Sequence, residues 1–378
     1  MLVSRSDRGI IARWWFTVDR LLLSAVLLLM ATGVLISMAA SPPVAERIGL
    51  SSFHFFKYQL IFLVPATIVL ISVSFLEPLQ ARRAAFLLFA ISLLLMVVAL
   101  FWGPEIKGAH RWINFGPIGV QPSELAKPSF VVMAAWFLAE HTKRPDMPGH
   151  FIAFLLFTLF VGLLVLQPDF GQTALVVMTF GTMLLIYGIP WIVVMGLMGL
   201  GASGVLAAYM LAPHVTSRID RFLHPDKGDT FQVDTATMAF HNGGLLGTGP
   251  GGGVAKQILP DAHTDFTFAV VGEEFGFIAC IILMLLFAFV VMRILQRAKI
   301  EPDPFPALAL SGLGIIFGLQ AVFNMGVNVS LLPAKGMTLP FISYGGSSLI
   351  GVTFAMGMVL AFSRRQPNVS LASTTWQP

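Results

Sequence analysis

Residues 21–40 read LLLSAVLLLMATGVLISMAA, twenty consecutive positions without a charged side chain. At about 1.5 Å of rise per residue that is a helix about 30 Å long, the thickness of a bilayer's hydrocarbon core. A helix that is apolar all round has no face to offer water. The stretch therefore reads as a membrane span. Arg5, Arg8 and Arg13 precede it and the small-residue stretch SMAAS closes it, which superficially resembles a secretory signal. Its apolar run exceeds the roughly 7 to 15 residues of a signal core, and further spans follow, so it is expected to stay as an uncleaved first helix.

The same reading repeats outward along the chain. Ten spans are expected, at about 19–40, 58–75, 84–101, 122–139, 151–166, 171–189, 191–211, 270–292, 306–329 and 347–363. Of the 378 residues, 56% are hydrophobic and 11% charged, against roughly 25% charged in an ordinary soluble domain. That excludes a water-soluble globule and predicts an all-α polytopic membrane protein, one domain over residues 1–378. Cys280, the single cysteine, can form no internal disulfide and leaves no thiolate metal site. The net charge of +4 is scattered between apolar runs, so no nucleic-acid partner is expected.

Charge also predicts sidedness. With the N-terminus in the cytoplasm, thirteen basic residues fall on inner segments: Arg5, Arg8, Arg13, Arg20, Arg82, Arg83, Lys143, Arg144, Arg293, Arg297, Lys299, Arg364 and Arg365. The other ten lie outward, four of them (Arg218, Arg221, Lys227, Lys256) in one long loop, and long loops translocate regardless of charge. Both termini are thus expected in the cytoplasm, with a tail at about 364–378 and a large extracytoplasmic loop, about 212–265, between helices 7 and 8. Acidic residues run the other way, seven inward and twelve outward. Because acidic residues contribute little to topology, that bias is free to report on function.

The long loop has a polar first half and a glycine-rich second half, with seven glycines between Gly243 and Gly253. Gly247, Gly249 and Gly252 match G-x-G-x-x-G, but no strand precedes them, so a nucleotide site is not indicated. The glycines suit a flexible or tightly turned loop; its amides, with Lys256, could also cradle a phosphate. Asp265 closes the loop beside Phe266 and Phe268, where partial desolvation would raise its pKa toward that of a general base. Aspartate is equally a preferred helix cap, so local sequence leaves cap and catalyst level. Glu273 and Glu274 cannot both face one side of a helix, and at least one should end in the bundle interior or a wet cavity.

Span 4 opens QPSELAK, with Glu124 and Lys127 three apart on one helix face. Ionisable groups inside a span are functional candidates, and pairing is also how buried charge is tolerated at all. The turn QPDFG brings Asp169 to the same side; turn chemistry alone explains Pro168 and Gly171. Separate segments thereby deliver Glu124, Lys127, Asp169 and Asp265 to the outer half of the bundle, as a polar cavity for a charged, membrane-embedded substrate requires. No H-E-x-x-H, G-x-S-x-G or S-x-x-K arrangement occurs, which speaks against zinc hydrolase, serine hydrolase and penicillin-binding chemistry. The loop from Leu331 to Ser348 is turn-rich and long for a hairpin connection, suiting a lid, a gate or a docking surface.

GAHRWINFGPIGVQPSELAK (108–127), QPDFG (167–171), HNGGLLGTGPGG (241–252), LPDAHTDFTFAVVGEEFG (259–276) and LPAKGMTLPFISYGGSS (332–348) together resemble the SEDS family of bacterial cell-wall polymerases, membrane glycosyltransferases that use lipid II. The resemblance covers nearly the whole chain and leans toward the division branch rather than the elongation branch. It implies ten transmembrane helices with both termini cytoplasmic, in agreement with the charge reading. It also implies that Asp265 matches the essential loop aspartate, and that Glu124, Lys127 and Asp169 match polar residues lining a central cavity.

In lipid II the sugar is α-linked to a pyrophosphate, while the glycan product is β-1,4 linked, so the anomeric centre inverts. Inversion fits a single displacement with one general base. Asp265 would take the proton of the acceptor hydroxyl; Lys127 first, then Arg218, Arg221 or Lys256, or a divalent cation such as Mg or Mn, would offset charge on the departing pyrophosphate. The resemblance further implies a class B penicillin-binding protein and division activators as partners, in the bacterial inner membrane at the septum. The competing readings are a lipid II flippase or transporter, an elongation polymerase, and a noncatalytic division scaffold. Transport is disfavoured because no inverted repeat is visible and the candidate charges lie toward the outer face.

Overall fold

Each of the ten expected spans falls on a helix in the computed structural model, which describes residues 9–106, 108–116, 118–211, 216, 231–333 and 336–364. The helices are α1 (Ile10–Thr17), α2 (Arg20–Arg47), α3 (His54–Ser74), α4 (Pro78–Trp102), α5 (Pro122–Lys143), α6 (Gly149–Leu166), α7 (Phe170–Tyr187), α8 (Trp191–Leu211), α9 (Phe231–Gly243), α10 (Ala255–Ile258), α11 (Thr267–Ile300), α12 (Pro304–Asn328) and α13 (Gly346–Phe362). Among the described residues seven are long and apolar enough to cross a membrane by length and composition: α2, α3, α4, α6, α7, α11 and α12. Of the remaining expected spans, α5 carries Glu124 and Lys127 in its first two turns, and α13 has 17 residues.

Helix α5 is buried on nearly every face, with α4, α6, α7, α12 and α13 packed around it. Small side chains permit that crowding. On α4 the buried stripe Ala81, Ala85, Phe89, Ser92, Met96 and Ala99 follows helical spacing and turns mostly small residues inward, so the backbones can approach closely. The opposite face of α4 exposes Leu87 and Leu94, which suits lipid contact.

One end of the bundle collects the basic segments assigned to the cytoplasm. Asp19 caps α2 through Leu22 N at 3.2 Å and accepts Arg293 Nε at 3.0 Å and Arg297 Nε at 2.5 Å from the end of α11. Lys143 pairs with Asp303 at 2.8 Å, and Arg364 donates to the Phe75 carbonyl at 3.0 Å. Helix α1, not anticipated from sequence, joins this end: the Trp14 indole donates to Ser74 Oγ at 2.9 Å and stacks on Phe75. Residues at the ends of α1, α2, α3, α5, α11, α12 and α13 thus meet at one end of the bundle.

The connections at the other end are more ordered than their composition suggests. An antiparallel hairpin, β1 (Ile113–Phe115) with β2 (Ile118–Val120), precedes α5 and stands outside the all-α expectation. The long loop contains α9 and α10; α9 buries Thr235, Ala236, Ala239 and Gly243, a face of small residues lying against α11. The segment before α13, read as suiting a lid, a gate or a docking surface, buries Met337, Leu339, Phe341 and Ile342.

Helix α11 departs most from its expected straight span. It breaks at Gly276, whose φ of 80° and ψ of 178° only glycine adopts readily. A break at membrane depth leaves backbone groups that lipid cannot satisfy. The glycine-rich loop satisfies them. Thr248 N and Gly249 N donate to the Glu273 and Glu274 carbonyls at 2.9 and 3.0 Å, while Phe277 N and Ile278 N donate to the Gly244 and Leu245 carbonyls at 2.9 and 3.3 Å. A Cβ at Gly276 would sit 2.6 Å from the Leu246 carbonyl carbon.

Gly276→Ala is expected to destabilise the protein by at least the ~1–3 kcal/mol of a strained backbone position, seen as a lower melting temperature in detergent. Gly162→Ala, in α6 with open space around it, should be neutral or stabilising by up to about 1 kcal/mol. Sidedness is checked with single cysteines: a membrane-impermeant thiol reagent applied from outside should label Val254→Cys and not Asp146→Cys, with the buried Cys280 silent.

Candidate functional site

The predicted pair of span 4 forms inside the bundle. Lys127 Nζ donates to Glu124 Oε1 at 3.0 Å, and both side chains are buried. The same ammonium donates to Gln172 Oε1 on α7 at 2.8 Å and to Gln320 Oε1 on α12 at 3.1 Å. An ammonium has three hydrogens, and all three are engaged. Gln172 Nε2 returns a bond to Glu124 Oε1 at 2.7 Å, leaving Glu124 Oε2 without a hydrogen-bond partner among the described residues.

Asp169 joins this network at the start of α7. Its Oδ1 accepts Gln172 N at 3.4 Å and its Oδ2 accepts Gln121 Nε2 at 3.2 Å. Arg111, which sequence reasoning did not single out, lies 3.7 Å from Asp169 and donates through Nε to the Gln167 carbonyl at 3.0 Å. Burial pushes the Asp169 carboxyl above the usual carboxylate range, with the Arg111 charge acting in the opposite sense. Glu124, Lys127 and Asp169 therefore come together as expected, through Gln172 and Gln121.

Asp265 sits above this group on a tight turn. Asp261, at φ 54°, accepts Thr264 N and Asp265 N at 3.0 Å each and Phe266 N at 3.2 Å. The cap position of α11 falls on Phe266, the residue after Asp265. Ala269 N, in the first turn of that helix, donates to Asn328 Oδ1 at 2.9 Å. The Asp265 carbonyl accepts Asn324 Nδ2 and Asn328 Nδ2, each at 2.9 Å. Gly336 stands beside the carboxylate: a Cβ built there would lie 3.6 Å from Asp265 Oδ2.

Helix α12 links the two levels. Gln320, Asn324 and Asn328 are spaced four apart, one above the other on a single face. Gln320 reaches Lys127 and donates to the Thr338 carbonyl at 3.2 Å; Asn324 reaches Asp265 and the Met337 carbonyl at 2.6 Å. Sequence reasoning passed over this stripe. Three amides at i, i+4 and i+8 of an otherwise apolar helix were the available signal.

Lys256 lies elsewhere. It is buried, pairs with Glu274 Oε1 and donates to the Ala39 carbonyl at 3.2 Å, sharing no partner with Lys127. Both Glu273 and Glu274 are buried, because the break at Gly276 lets the loop wrap them. Glu273 Oε1 accepts Val254 N and Ala255 N at 2.8 and 2.7 Å, its Oε2 accepts Lys256 N at 3.0 Å, and Glu274 Oε1 accepts Gly251 N at 3.0 Å. The loop amides, for which sequence leaves a tight turn and a phosphate cradle both open, hold the protein's own carboxylates. Arg218 and Arg221 lie outside the described residues. Among the described residues no group of three or more His, Cys, Asp or Glu side chains is placed to hold a metal ion.

Residues 19–368 match the model of the FtsW/RodA/SpoVE family of cell cycle proteins. A relative from Caulobacter vibrioides, "Probable peptidoglycan glycosyltransferase FtsW", is 43% identical over 98% of this chain and 95% of its own. A protein of the same name from Shewanella sediminis is 35% identical over 90% of this chain and 85% of its own. Among solved structures, a chain from work on structural coordination of polymerization and crosslinking by a peptidoglycan synthase complex matches with a TM-score of 0.77 at 29% identity, over 92% of this chain and 98% of that one. The rod shape determining protein RodA of Thermus thermophilus matches with a TM-score of 0.69 at 28% identity, over 93% and 99%.

Lys127→Met leaves the Glu124 carboxylate buried without its cation, which should cost about 3–5 kcal/mol and lower the melting temperature in detergent. Exchanging the two, Glu124→Lys with Lys127→Glu, should recover most of that loss, since Gln172 and Gln320 can turn their amides. A Lys127→Met protein as stable as its parent would show that the ammonium does not hold the three helices.

Proposed function

The chain belongs to the FtsW/RodA/SpoVE family of cell cycle proteins, and from that premise we propose that it is a peptidoglycan glycosyltransferase polymerising lipid II for septal wall synthesis, with Asp265 as the general base. The observation that carries the reading is a part-exposed carboxylate on a rigid turn, anchored by buried amides to a helix that also reaches the Lys127 network. The names of the full-length relatives support the activity, and their FtsW identity favours division over elongation.

Asp265 accepts the proton of the acceptor sugar's 4-hydroxyl as that oxygen attacks the anomeric carbon of the donor. The new C–O bond forms as the bond to the pyrophosphate oxygen breaks, and the electron pair leaves with the polyprenyl pyrophosphate. Attack from the face opposite the leaving group turns the α link into a β link. Arg218 and Arg221, carried by the long outer loop, are the cations best suited to the departing charge, because Lys127 and Lys256 already have carboxylate partners. Glu124, Lys127 and Asp169 form the polar floor that a lipid-linked sugar meets in an apolar bundle.

The solved synthase complex joins polymerization with crosslinking. A class B penicillin-binding protein is accordingly the proposed partner here, with division activators as regulators and the septum of the bacterial inner membrane as the place of action.

The purified chain, reconstituted with that partner and given fluorescent lipid II, should form glycan strands, and Asp265→Asn should slow polymerisation by about 10²-fold or more, the scale of general-base catalysis. Normal polymerisation by Asp265→Asn would sink the assignment of the base. Lipid II that crosses liposome membranes without any glycan forming would establish the transporter reading instead.

A further inference from the structure

Two buried asparagines converge on one carbonyl oxygen, that of Asp265, and each is also committed to a second element. Asn328 donates to Asp265 O at 2.9 Å while its Oδ1 accepts Ala269 N at 2.9 Å, so its amide orientation is fixed from both ends. Asn324 uses its Nδ2 group twice, toward Asp265 O at 2.9 Å and Met337 O at 2.6 Å. The first pins the base-bearing turn to α11; the second pins it to the segment carrying Gly336, which borders the Asp265 carboxylate.

A carbonyl has two acceptor lone pairs, and both are taken here. Two donors on one oxygen fix the plane of the Asp265–Phe266 peptide, and that plane sets the direction in which the Asp265 side chain leaves the backbone. Capping α11 needs only the Asn328 oxygen, so the two Nδ2 donors serve something other than the cap. We infer that Asn324 and Asn328 are positioning residues for the reaction, holding the Asp265 carboxylate in line with the acceptor hydroxyl through its own backbone carbonyl. The inference rests on Asp265 being the base. It assigns a role in turnover to two uncharged residues of a transmembrane helix that touch no reacting atom.

Asn328→Asp is nearly isosteric, keeps an acceptor for Ala269 N and, as a carboxylate, removes the donor to Asp265. Asn324→Ala removes both donors of the other amide. The full-length protein with its transpeptidase partner is assayed for polymerisation of fluorescent lipid II, alongside lipid II bound per protein and melting temperature. Both variants should lose tenfold or more in kcat, with KM for lipid II within twofold of the parent and the amount bound unchanged.

A merely structural role would lower bound lipid II and melting temperature in step with the rate, leaving turnover per bound lipid II as in the parent, and would overturn the inference. Turnover within twofold of the parent in both variants, with Asp265→Asn inactive, would also overturn it while the base assignment stands. An active Asp265→Asn protein removes the base assignment and this inference together.

Discussion

A single buried ammonium organises the outer half of the bundle. Lys127 is buried, so its charge is tolerated only if protein atoms replace its hydration. Glu124 supplies the counter-charge from the same helix, and Gln172 and Gln320 supply the remaining acceptors from α7 and α12. Each bond fixes the rotation of a different helix about its axis. Turning α12 so that Gln320 meets Lys127 also turns Asn324 and Asn328 toward Asp265, since residues four apart share a face. The placement of the proposed base therefore follows from how one lysine is neutralised two turns deeper.

The break in α11 is the second support of the same turn. A continuous helix would carry Glu273 and Glu274 away in different directions, but the positive-φ backbone at Gly276 opens the helix where the glycine-rich loop docks. Loop amides then bind the two carboxylates, and Lys256 neutralises Glu274. These interactions lie within three turns of Asp265. The turn is thus braced from the α12 amides on one side and from the kinked first segment of α11 on the other.

How far the sequence discloses this arrangement depends on the type of signal each residue carries. Among the described residues the seven helices long and apolar enough to cross a membrane are legible because an uninterrupted apolar run of sufficient length permits little else in lipid. The Glu124–Lys127 pair is legible because its partners lie three apart on one helix. Gly276 is silent: a glycine inside an apolar run reads as helix until its φ is known. Helix α9 is hidden because its buried face is made of threonine, alanine and glycine, which give no strong apolar periodicity. Lys256 is read as a free cation because Glu274 is 18 positions away and meets it only through the break. Gln320, Asn324 and Asn328 escape notice because charge draws attention in a span and neutral amides do not, although burial makes an amide equally dependent on partners.

The saturation of Lys127 bears on how the leaving group is stabilised. An ammonium whose three hydrogens are engaged gives an incoming pyrophosphate an electric field but no hydrogen bond, and the carboxylate 3.0 Å away opposes most of that field. The open valence of the network is an acceptor, Glu124 Oε2. In the proposed reaction the departing charge therefore calls for cations other than Lys127, whose ammonium is already engaged by Glu124, Gln172 and Gln320.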